Sequence, residues 1–317
     1  MSEKDVFIGS NGVMKKKQTL TIFTPLYNRK STLKRTYESL KRQTCKDFEW
    51  LIIDDGSTDN PFEEIEKWQH EDNGFVIRYI YKENGGMHTA HNVAYENITT
   101  ELNTCIDSDD YMPDNAVELI VNCWNQCRDK GYAGIIALDY ADSTKNVIGK
   151  ELPYDRESIS LSDYYYQGGE GDKKLIYRTD IINQTPPYPV FEGEKYVSLA
   201  YKYQIIDQTY EMKILNANVC FVEYQLDGSS TNMYRQYMNN PRGFAFWRTE
   251  QMKYSRSISQ KYWACIHYSS SSLICNNRRF IKESPCKLLT VLAIPFGFVL
   301  TILIRIKSKK SYYNVKI

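Results

Sequence analysis

The chain has 317 residues, of which 42% are hydrophobic and 25% are charged. It can therefore bury a substantial core, which excludes an intrinsically disordered protein. The formal net charge of +1 lacks the basic excess of general nucleic-acid binders, so no nucleic-acid partner is expected. The eight cysteines show no paired CxxC spacing, which indicates reduced thiols rather than a disulfide or zinc framework.

The first half of the sequence alternates between strand and helix signals. Residues 1–18 are polar and lack the apolar core of a secretory signal, so we expect a flexible N-terminal arm. Helix signals follow the first three strands, and the third of these helices is short and runs through Asn92. The predicted strands are Leu20 to Thr24, Phe48 to Ile53, Val76 to Tyr81 and a short run that ends at Asp107. This alternation predicts a doubly wound α/β sheet.

A polar, turn-forming cluster follows each of these four strands. The fourth cluster, Asp107-Ser108-Asp109-Asp110, places three carboxylates within four residues. Such a cluster is either an acidic turn in water or a site where carboxylates share a hard cation such as Mg²⁺ or Mn²⁺. Ligands of open α/β sheets bind beyond the carboxyl ends of the strands, and four polar clusters at that edge favour the second interpretation.

The second half of the sequence carries weaker signals. A helix is expected after Pro113, a fifth strand over Ile135 to Leu138, and a strand over Lys213 to Glu223. The proline-rich stretch 185–189 should direct residues 191–195 into a helix that runs to about Asp207. The region after Met233 is helical, aromatic and basic in pattern.

The stretch Leu288 to Ile304 contains 17 residues without a charge, between basic flanks. As a helix it would reach about 26 Å, which is shorter than the hydrocarbon core of a bilayer. Pro295 and Gly297 are expected to break or kink such a helix. We therefore expect an interfacial or hairpin-like segment that contacts the membrane surface through residues 285–310, with a single transmembrane span or a buried core helix as alternatives.

Four motifs together resemble the glycosyltransferase family 2 group, whose members have the GT-A fold and invert the anomeric configuration. The resemblance covers about residues 18 to 225, and the four motifs in order are far more specific than any one of them. The motifs are Thr24-Pro25-Leu26-Tyr27-Asn28, Ile53-Asp54-Asp55-Gly56-Ser57-Thr58-Asp59, Asn84-Gly85-Gly86 with Ala90-His91-Asn92, and Ile106-Asp107-Ser108-Asp109-Asp110.

The resemblance implies a binding site for a nucleotide-diphospho-sugar, with UDP as the expected nucleotide. A carboxylate at Asp54 or Asp55 would accept the uracil imide N–H, which discriminates between bases. The remaining implied donor-binding residues are Pro25, Tyr27, Asn28, Asn84, Gly85, Gly86, His91, Asn92, Asp107 and Ser108.

The resemblance also implies a metal site and a general base. Asp107 and Asp109 match the DxD motif, which would bind Mn²⁺ or Mg²⁺ and thereby stabilise the departing diphosphate. An inverting transfer needs a base for the acceptor hydroxyl. The candidates are Glu194, which is preferred, and Glu192; the usual Glu-Asp pair is absent, and an acid at a helix N-terminus has an ordinary structural explanation.

The sequence therefore predicts an α/β protein of the GT-A type, with a Rossmann-like mixed sheet and a C-terminal helical, membrane-associating extension. The expected enzyme transfers a sugar to a glycan or lipid-linked acceptor in surface polysaccharide synthesis, at the cytoplasmic face of the membrane. A nucleotidyltransferase on a similar scaffold and a catalytically inactive glycan-binding relative are the alternatives. The predicted boundaries are 1–18 for the arm, 19–225 for the glycosyltransferase domain, 226–284 for a helical extension and 285–317 for the hydrophobic segment with its basic tail.

Overall fold

A computed structural model of the chain describes residues 18–223 and 233–314, with side chains up to Lys309. The predicted N-terminal arm lies almost wholly outside the described residues. The chain divides into two compact units. The first comprises the described residues up to Asn84, Ala90–Pro186 and Thr209–Glu223, and the second comprises Gly85–Thr89, Pro187–Gln208 and the described residues after Glu223.

The first unit contains an eight-stranded mixed sheet. Its strands in chain order are β1 Leu20–Leu26, β2 Phe48–Asp54, β3 Val76–Tyr81, β4 Leu102–Cys105, β5 Gly134–Ala141, β6 Ser158–Ile159, β7 Lys173–Arg178 and β8 Met212–Val222. Their order in the sheet is β3-β2-β1-β4-β7-β5-β8-β6. The first four strands are parallel to one another, whereas β7 is antiparallel to both β4 and β5.

Six helices belong wholly or mainly to this unit, and six lie in the second. The first set is α1 Lys30–Lys41, α2 Phe62–Gln69, α3 Met87–Asn97, α4 Ala116–Cys127, α5 Leu161–Tyr166 and α6 Thr179–Gln184. The second set is α7 Ala200–Ile206, α8 Met233–Asn239, α9 Pro241–Tyr254, α10 Ile258–Ile274, α11 Phe280–Glu283 and α12 Lys287–Asn314. A short 3₁₀ helix, Arg128–Lys130, follows α4.

Apolar and β-branched residues predominate in β1 and β2, as expected of strands that are covered on both faces. On one face the rings of Tyr37 from α1 and Trp68 from α2 stack at 4.3 Å between centroids, next to Trp50 of β2. Burial of these large rings holds the two helices on the sheet. The predicted mixed α/β fold with four leading strands is thus confirmed, and the rim formed by their carboxyl ends positions the candidate site.

Two predicted features of the second unit are wrong. The helix expected from residues 191–195 to Asp207 is confined to Ala200–Ile206. Gly193 adopts a φ of +77°, which is outside the helical region, and it forms a turn there. The expected break at Pro295 and Gly297 is also wrong, because α12 is one continuous helix of 28 residues.

The packing of α12 explains why this helix tolerates both breakers. Pro295 is exposed, so its ring does not interrupt the packing of α12 on α10. Gly297 lies against α10, where an added Cβ would be 2.6 Å from the Cβ of Ser269. Among the described residues, one helical stretch, Lys287–Lys309, is long and apolar enough to cross a membrane by length and composition. All eight cysteines lie within the described ranges and are unpaired, as the sequence predicts.

Candidate active site

The carboxyl ends of β1 and β2 carry loops that are hydrogen-bonded to each other. Asn28 adopts a left-handed φ of +50°, donates its backbone N–H to Ser57 Oγ at 3.0 Å, and accepts from the backbone N–H of Thr58 at 2.7 Å. The backbone N–H of Lys30 donates to Asp59 Oδ2 at 2.9 Å. These bonds fix the two loops as one surface. Pro25 is buried in β1, whereas Tyr27 is half exposed at its end.

Asp54 and Asp55 are both buried and hold the rim through their side chains. Asp54 accepts the backbone N–H of Ser57 at 2.8 Å and the hydroxyl of Tyr79 at 2.6 Å. Burial, and then the hydrogen bond to Asp54, raises the pKa of Tyr79, so that its hydroxyl stays a donor. Asp55 pairs with Lys82. The two carboxylates are therefore fixed in place by different neighbours.

Asn84 closes the third side of this rim. Its Nδ2 donates to the backbone carbonyl of Asp55 at 2.8 Å and to the Asp55 carboxylate at 3.3 Å. Gly56, at a φ of +78°, approaches so closely that an added Cβ would be 2.7 Å from the Asn84 backbone nitrogen. The predicted nucleotide residues at the ends of β1, β2 and β3 are thus brought together in the first unit.

Gly85 and Gly86 belong to the second unit, where Gly86 has a structural reason to be glycine. Its φ is +95°, and an added Cβ would be 2.0 Å from the carbonyl oxygen of Lys195. The Gly86 carbonyl accepts the backbone N–H and the hydroxyl of Thr89, which lies in the first turn of α3. This segment is therefore built for close approach of two backbones.

His91 is not at the rim. Its ring is fully buried and packs edge-on against Phe23 of β1, with 4.9 Å between centroids, and its Nδ1 lies 3.3 Å from the hydroxyl of Tyr95. These contacts hold His91 in the core of the first unit, away from the donor-binding position that the resemblance implies. Asn92 is half-buried on the same helix.

The acidic turn after β4 is braced by α1. The backbone N–H of Asp110 donates to the carbonyl of Asp107 at 3.0 Å, which closes the turn. Thr36 donates its hydroxyl to the carbonyl of Asp110 at 2.7 Å and also lies 3.5 Å from the carbonyl of Ser108. The Arg35 guanidinium donates to the carbonyl of Asp109. Three consecutive carbonyls are thus held by one helix.

The three aspartates of this turn differ in their surroundings. Asp110 is buried, and its carboxylate accepts the backbone N–H of Glu223 at 3.1 Å, so it supports the end of β8. Burial raises the pKa of Asp110 to about 8, against the opposing charge of Lys174. Asp107 and Asp109 are only partly buried. Burial and the charge of Asp107 raise the pKa of Asp109, which means that the two carboxylates repel each other.

This donor set fits a cation that is shared with a substrate. In the described part of the chain, no group of three or more His, Cys, Asp or Glu residues is gathered to hold a metal by itself. Mg²⁺ is commonly held by one or two carboxylates together with substrate phosphates. Two carboxylates that repel each other at a rim, as Asp107 and Asp109 do, suit that mode of binding because a cation relieves the repulsion.

A buried lysine behind the acidic turn did not emerge from the sequence. Lys174 of β7 lies between β4 and β5; its Nζ is 3.5 Å from the carboxylate of Asp139 and 3.5 Å from the carbonyl of Cys105. Both side chains of the pair are nearly inaccessible to solvent. The local pattern KKLIYR gives no clear signal, because Lys174 follows another lysine at the start of its strand; only its place between β4 and β5 buries it.

The two candidate base residues lie in the second unit and have different environments. Glu194 is buried; its Oε1 accepts the backbone N–H and the Nε of Arg242, each at 3.0 Å, and its Oε2 accepts the backbone N–H of Gly243 at 2.8 Å. It therefore caps the N-terminus of α9 rather than that of α7. Glu192 is exposed, and its carbonyl accepts from Arg242.

Comparison with known proteins identifies the family. The sequence model of the family described as glycosyl transferase family 2 matches residues 21–184. This range is more than half of the chain and includes the whole rim. The chain belongs to glycosyl transferase family 2. An uncharacterized glycosyltransferase of Rickettsia conorii is 31% identical over 147 residues, which cover 45% of this chain and 24% of that protein. The chain spans less than half the length of the relatives it matches.

Solved structures confirm the fold of this family 2 chain. S. aureus TarS 1-349 in complex with UDP-GlcNAc superposes with a TM-score of 0.61 at 16% identity, and the match covers 94% of this chain and 92% of that one. The mannosyltransferase PcManGT from Pyrobaculum calidifontis in complex with GDP-Man and Mn²⁺ gives a TM-score of 0.51 at 11% identity, over 91% and 88% of the two chains. At these identities the similarity concerns the fold.

Proposed function

We propose that the protein transfers a sugar from a nucleotide-diphospho-sugar, with UDP as the nucleotide, and inverts the anomeric configuration. The observation that carries this proposal is the rim of the first unit, where family 2 motifs at the ends of β1 to β4 are fixed to one another and to α1. The similarity of fold to TarS, which was solved with UDP-GlcNAc, supports UDP as the nucleotide.

The donor nucleotide is assigned to the rim formed by Pro25, Tyr27, Asn28, Asp54 and Asp55. Tyr27 offers a half-exposed ring to a base or ribose. An ionised carboxylate can accept about four hydrogen bonds, so one group can serve both the rim and a ligand. Asp54 or Asp55 would accept the uracil imide N–H, and a base without that donor would leave it unpaired.

Asp107 and Asp109 are assigned to a divalent cation, Mn²⁺ or Mg²⁺, shared with the diphosphate of the donor. When bound, the cation would supply Lewis-acid stabilisation of the leaving group. The chain's own contribution is to hold the turn still, because Arg35 and Thr36 fix the carbonyls of Asp109 and Asp110. Asp110 is assigned to support of β8 rather than to the metal.

Glu194 is assigned as the general base for the acceptor hydroxyl, with Glu192 as the second candidate. A single displacement at the anomeric carbon needs one carboxylate to take that proton. Arg242 and Gly243 hold the Glu194 carboxylate in one orientation, which a base requires, although the same bonds also suit a helix cap alone. Exposed Glu192 has no such constraint on its side chain among the contacts described above.

The acceptor is proposed to be a growing glycan or a lipid-linked oligosaccharide of the cell surface, reached from the cytoplasmic face of the membrane. The support for this part is α12, which is apolar along most of its length and has basic residues at both ends. Residues 285–310 would keep the enzyme next to a membrane-borne acceptor.

A nucleotidyltransferase is the principal alternative. Such enzymes usually grip a triphosphate with a glycine-rich loop after the first strand. Here that loop is Pro25-Leu26-Tyr27-Asn28-Arg29-Lys30, which contains no glycine and is fixed by side-chain bonds of Asn28. A catalytically inactive relative would have no need for Asp107 and Asp109 to stay close and partly exposed.

A thermal-shift screen with Mn²⁺ tests the donor assignment. UDP-sugars at a hundredfold excess over their Kd should raise the free energy of unfolding by about 2.7 kcal/mol, because they bind the folded state only. GDP-sugars serve as the matched control for the base. Stabilisation by nucleoside triphosphates but not by UDP-sugars would favour the nucleotidyltransferase instead.

A further inference from the structure

Helix α12 presents two opposite faces of different character. Ala293, Gly297, Thr301 and Ile304 are buried and lie along one side of the helix. On the opposite side, nine apolar residues are each between 44% and 75% exposed and fall within an arc of about 160° around the helix axis. These residues, called the apolar face below, are Leu288, Val291, Leu292, Phe296, Phe298, Val299, Ile302, Leu303 and Ile306.

The buried side of α12 is fixed to the rest of the second unit along much of its length. Thr301 donates its hydroxyl to Ser270 Oγ of α10 at 3.0 Å, and Gly297 lies against Ser269. Near one end, the Tyr262 hydroxyl of α10 donates to the carbonyl of Leu292 at 3.3 Å. Near the other end, the Lys307 ammonium donates to the Tyr234 hydroxyl of α8 at 3.0 Å.

These contacts disfavour a helix that crosses the bilayer. α10, which covers the back of α12, packs in turn on α9, and α9 carries Arg248, the ion pair between Lys253 and Glu250, and Arg242. A spanning α12 would draw the serines of α10, and the charges behind them, into hydrocarbon at a cost of several kcal/mol. A helix lying in the plane of the membrane buries the apolar face alone.

The charges around the apolar face indicate an anionic lipid surface rather than a second copy of the chain. Residues 287–309 contain no Asp or Glu, whereas Lys287 lies at one end and Arg305, Lys307 and Lys309 lie at the other. Two copies that paired through this face would therefore bring cations together in either orientation. Anionic headgroups instead complement both ends at once.

We propose that α12 lies in the plane of an anionic membrane leaflet, with Leu288, Leu292, Val299 and Ile306 in the acyl boundary and α10 on its protein side. This contact is the membrane contact that the proposed function requires. The orientation of α12 relative to the membrane follows from the packing of α12 alone. Burial of several aliphatic side chains in the acyl boundary supports stable but reversible binding.

Vesicle flotation of the full chain tests the lipid contact. The vesicles contain phosphatidylcholine alone or phosphatidylcholine with 30% phosphatidylglycerol. We expect binding to the anionic vesicles, a loss of at least tenfold in the double variant Leu292→Glu/Ile302→Glu, and a smaller, salt-dependent loss in Arg305→Gln/Lys309→Gln. Gln208→Glu adds one negative charge at an exposed position of the same unit and is the matched control.

Fusions at the C-terminus of the full chain in bacterial cells test the orientation. An in-plane helix leaves that end in the cytoplasm, so a green fluorescent protein should fluoresce and an alkaline phosphatase should be inactive. An active phosphatase would overturn the in-plane arrangement. Two results would overturn the lipid contact. One is unchanged vesicle binding by Leu292→Glu/Ile302→Glu. The other is a wild-type chain that does not bind vesicles but self-associates, with the self-association abolished in this variant.

UDP release from a UDP-sugar, measured without vesicles, separates this inference from the proposed function. Vesicle binding that fails while UDP release persists removes only the membrane contact. Vesicle binding that persists without UDP release from any donor removes only the transfer reaction.

Discussion

At the scale of single residues, the Lys174–Asp139 pair behind the acidic turn carries the clearest energetic prediction. Replacing one partner of a buried pair leaves an uncompensated charge, so Lys174→Met should lower the free energy of unfolding by about 3–5 kcal/mol. The double variant Lys174→Met/Asp139→Asn should recover most of that loss. Urea unfolding measures both, and a single variant within 0.5 kcal/mol of the wild type would contradict the assigned pair.

Glu194 and Glu192 make a second prediction at this scale. If Glu194 is the base, Glu194→Gln should lower kcat at least a hundredfold, because general-base catalysis typically contributes 10²–10⁴, while the KM for the donor stays within a few fold. Glu192→Gln is the matched control and should keep most of the activity. If Glu192→Gln instead loses its activity while Glu194→Gln stays active, the assignment is reversed.

A purely structural Glu194 would behave differently. The amide of Glu194→Gln cannot accept at both oxygen positions, so the cap of α9 should weaken by about 1–3 kcal/mol whether or not the residue is catalytic. Glu194 is identified as a base only if kcat falls by more than the unfolded fraction of the variant explains, while donor binding stays intact.

At the scale of elements, the close approach of two backbones just before α3 predicts that alanine costs more stability at Gly86 than at Gly131. Gly86 and Gly131 both have left-handed φ angles, +95° and +77°, but an added Cβ meets the Lys195 carbonyl at Gly86 and open space at Gly131. Gly131→Ala should cost only about 1–2 kcal/mol of backbone strain. Gly86→Ala should cost at least about 2 kcal/mol more, as measured by thermal unfolding. Equal losses would refute the close approach.

The helices α9 and α10 predict a pH dependence of stability. Burial, and then the charge of Arg248, lowers the pKa of His267 to about 4, with the Tyr237 ring of α8 also next to it. Between pH 6.5 and 4 the unfolded chain takes up a proton that the folded chain does not, so stability falls as the pH drops. His267 should contribute up to about 1.4 kcal/mol per pH unit in this range.

Urea unfolding at pH 4.5, 5.5 and 6.5 isolates this contribution. His267→Gln should show a shallower fall in stability than the wild type, and the same substitution at the exposed His70, which follows α2 directly, is the matched control. An identical pH dependence in wild type and His267→Gln would show that the histidine ring is not buried as described.

The elements also show what the sequence could reveal. The strands β1 to β4 follow from apolar runs, and Leu33, Tyr37 and Leu40 of α1 are buried as their spacing predicts. Local patterns could not reveal that Glu194 caps a helix that begins 47 residues later in the chain, or that Gly297 rests on α10. Both depend on long-range packing, which also keeps α12 continuous through Pro295.

The same limit applies to the candidate site. Motif order identified the rim residues and the acidic turn, because each follows a strand directly. The DxD match singled out Asp107 and Asp109, but it could not reveal that the Asp110 carboxylate accepts the backbone N–H of Glu223, far along the chain. It also missed Lys174, whose partner lies on a neighbouring strand rather than nearby in sequence.

At the scale of the whole molecule, the first unit carries the candidate nucleotide rim and the helical second unit carries α12. The predicted boundaries 19–225, 226–284 and 285–317 remain a proposal. A truncation to residues 1–284 would remove Ala293, which packs in one apolar cluster with Met252, Cys265 and Tyr268, so loss of activity in that form would not report on membrane contact alone. Point variants on the apolar face are therefore the better test.

The central claim is metal-assisted transfer from a UDP-sugar at Asp107 and Asp109, and release of UDP measures it most directly. With Mn²⁺ and UDP-sugars, the wild-type chain should release UDP, and Asp109→Asn should lower the rate at least a hundredfold, because the assignment gives the leaving group its charge stabilisation there. Asp114→Asn, at an exposed position after the turn, is the matched control and should retain the wild-type rate. Full activity in Asp109→Asn, or no UDP release by the wild type from any UDP-sugar, would contradict the account.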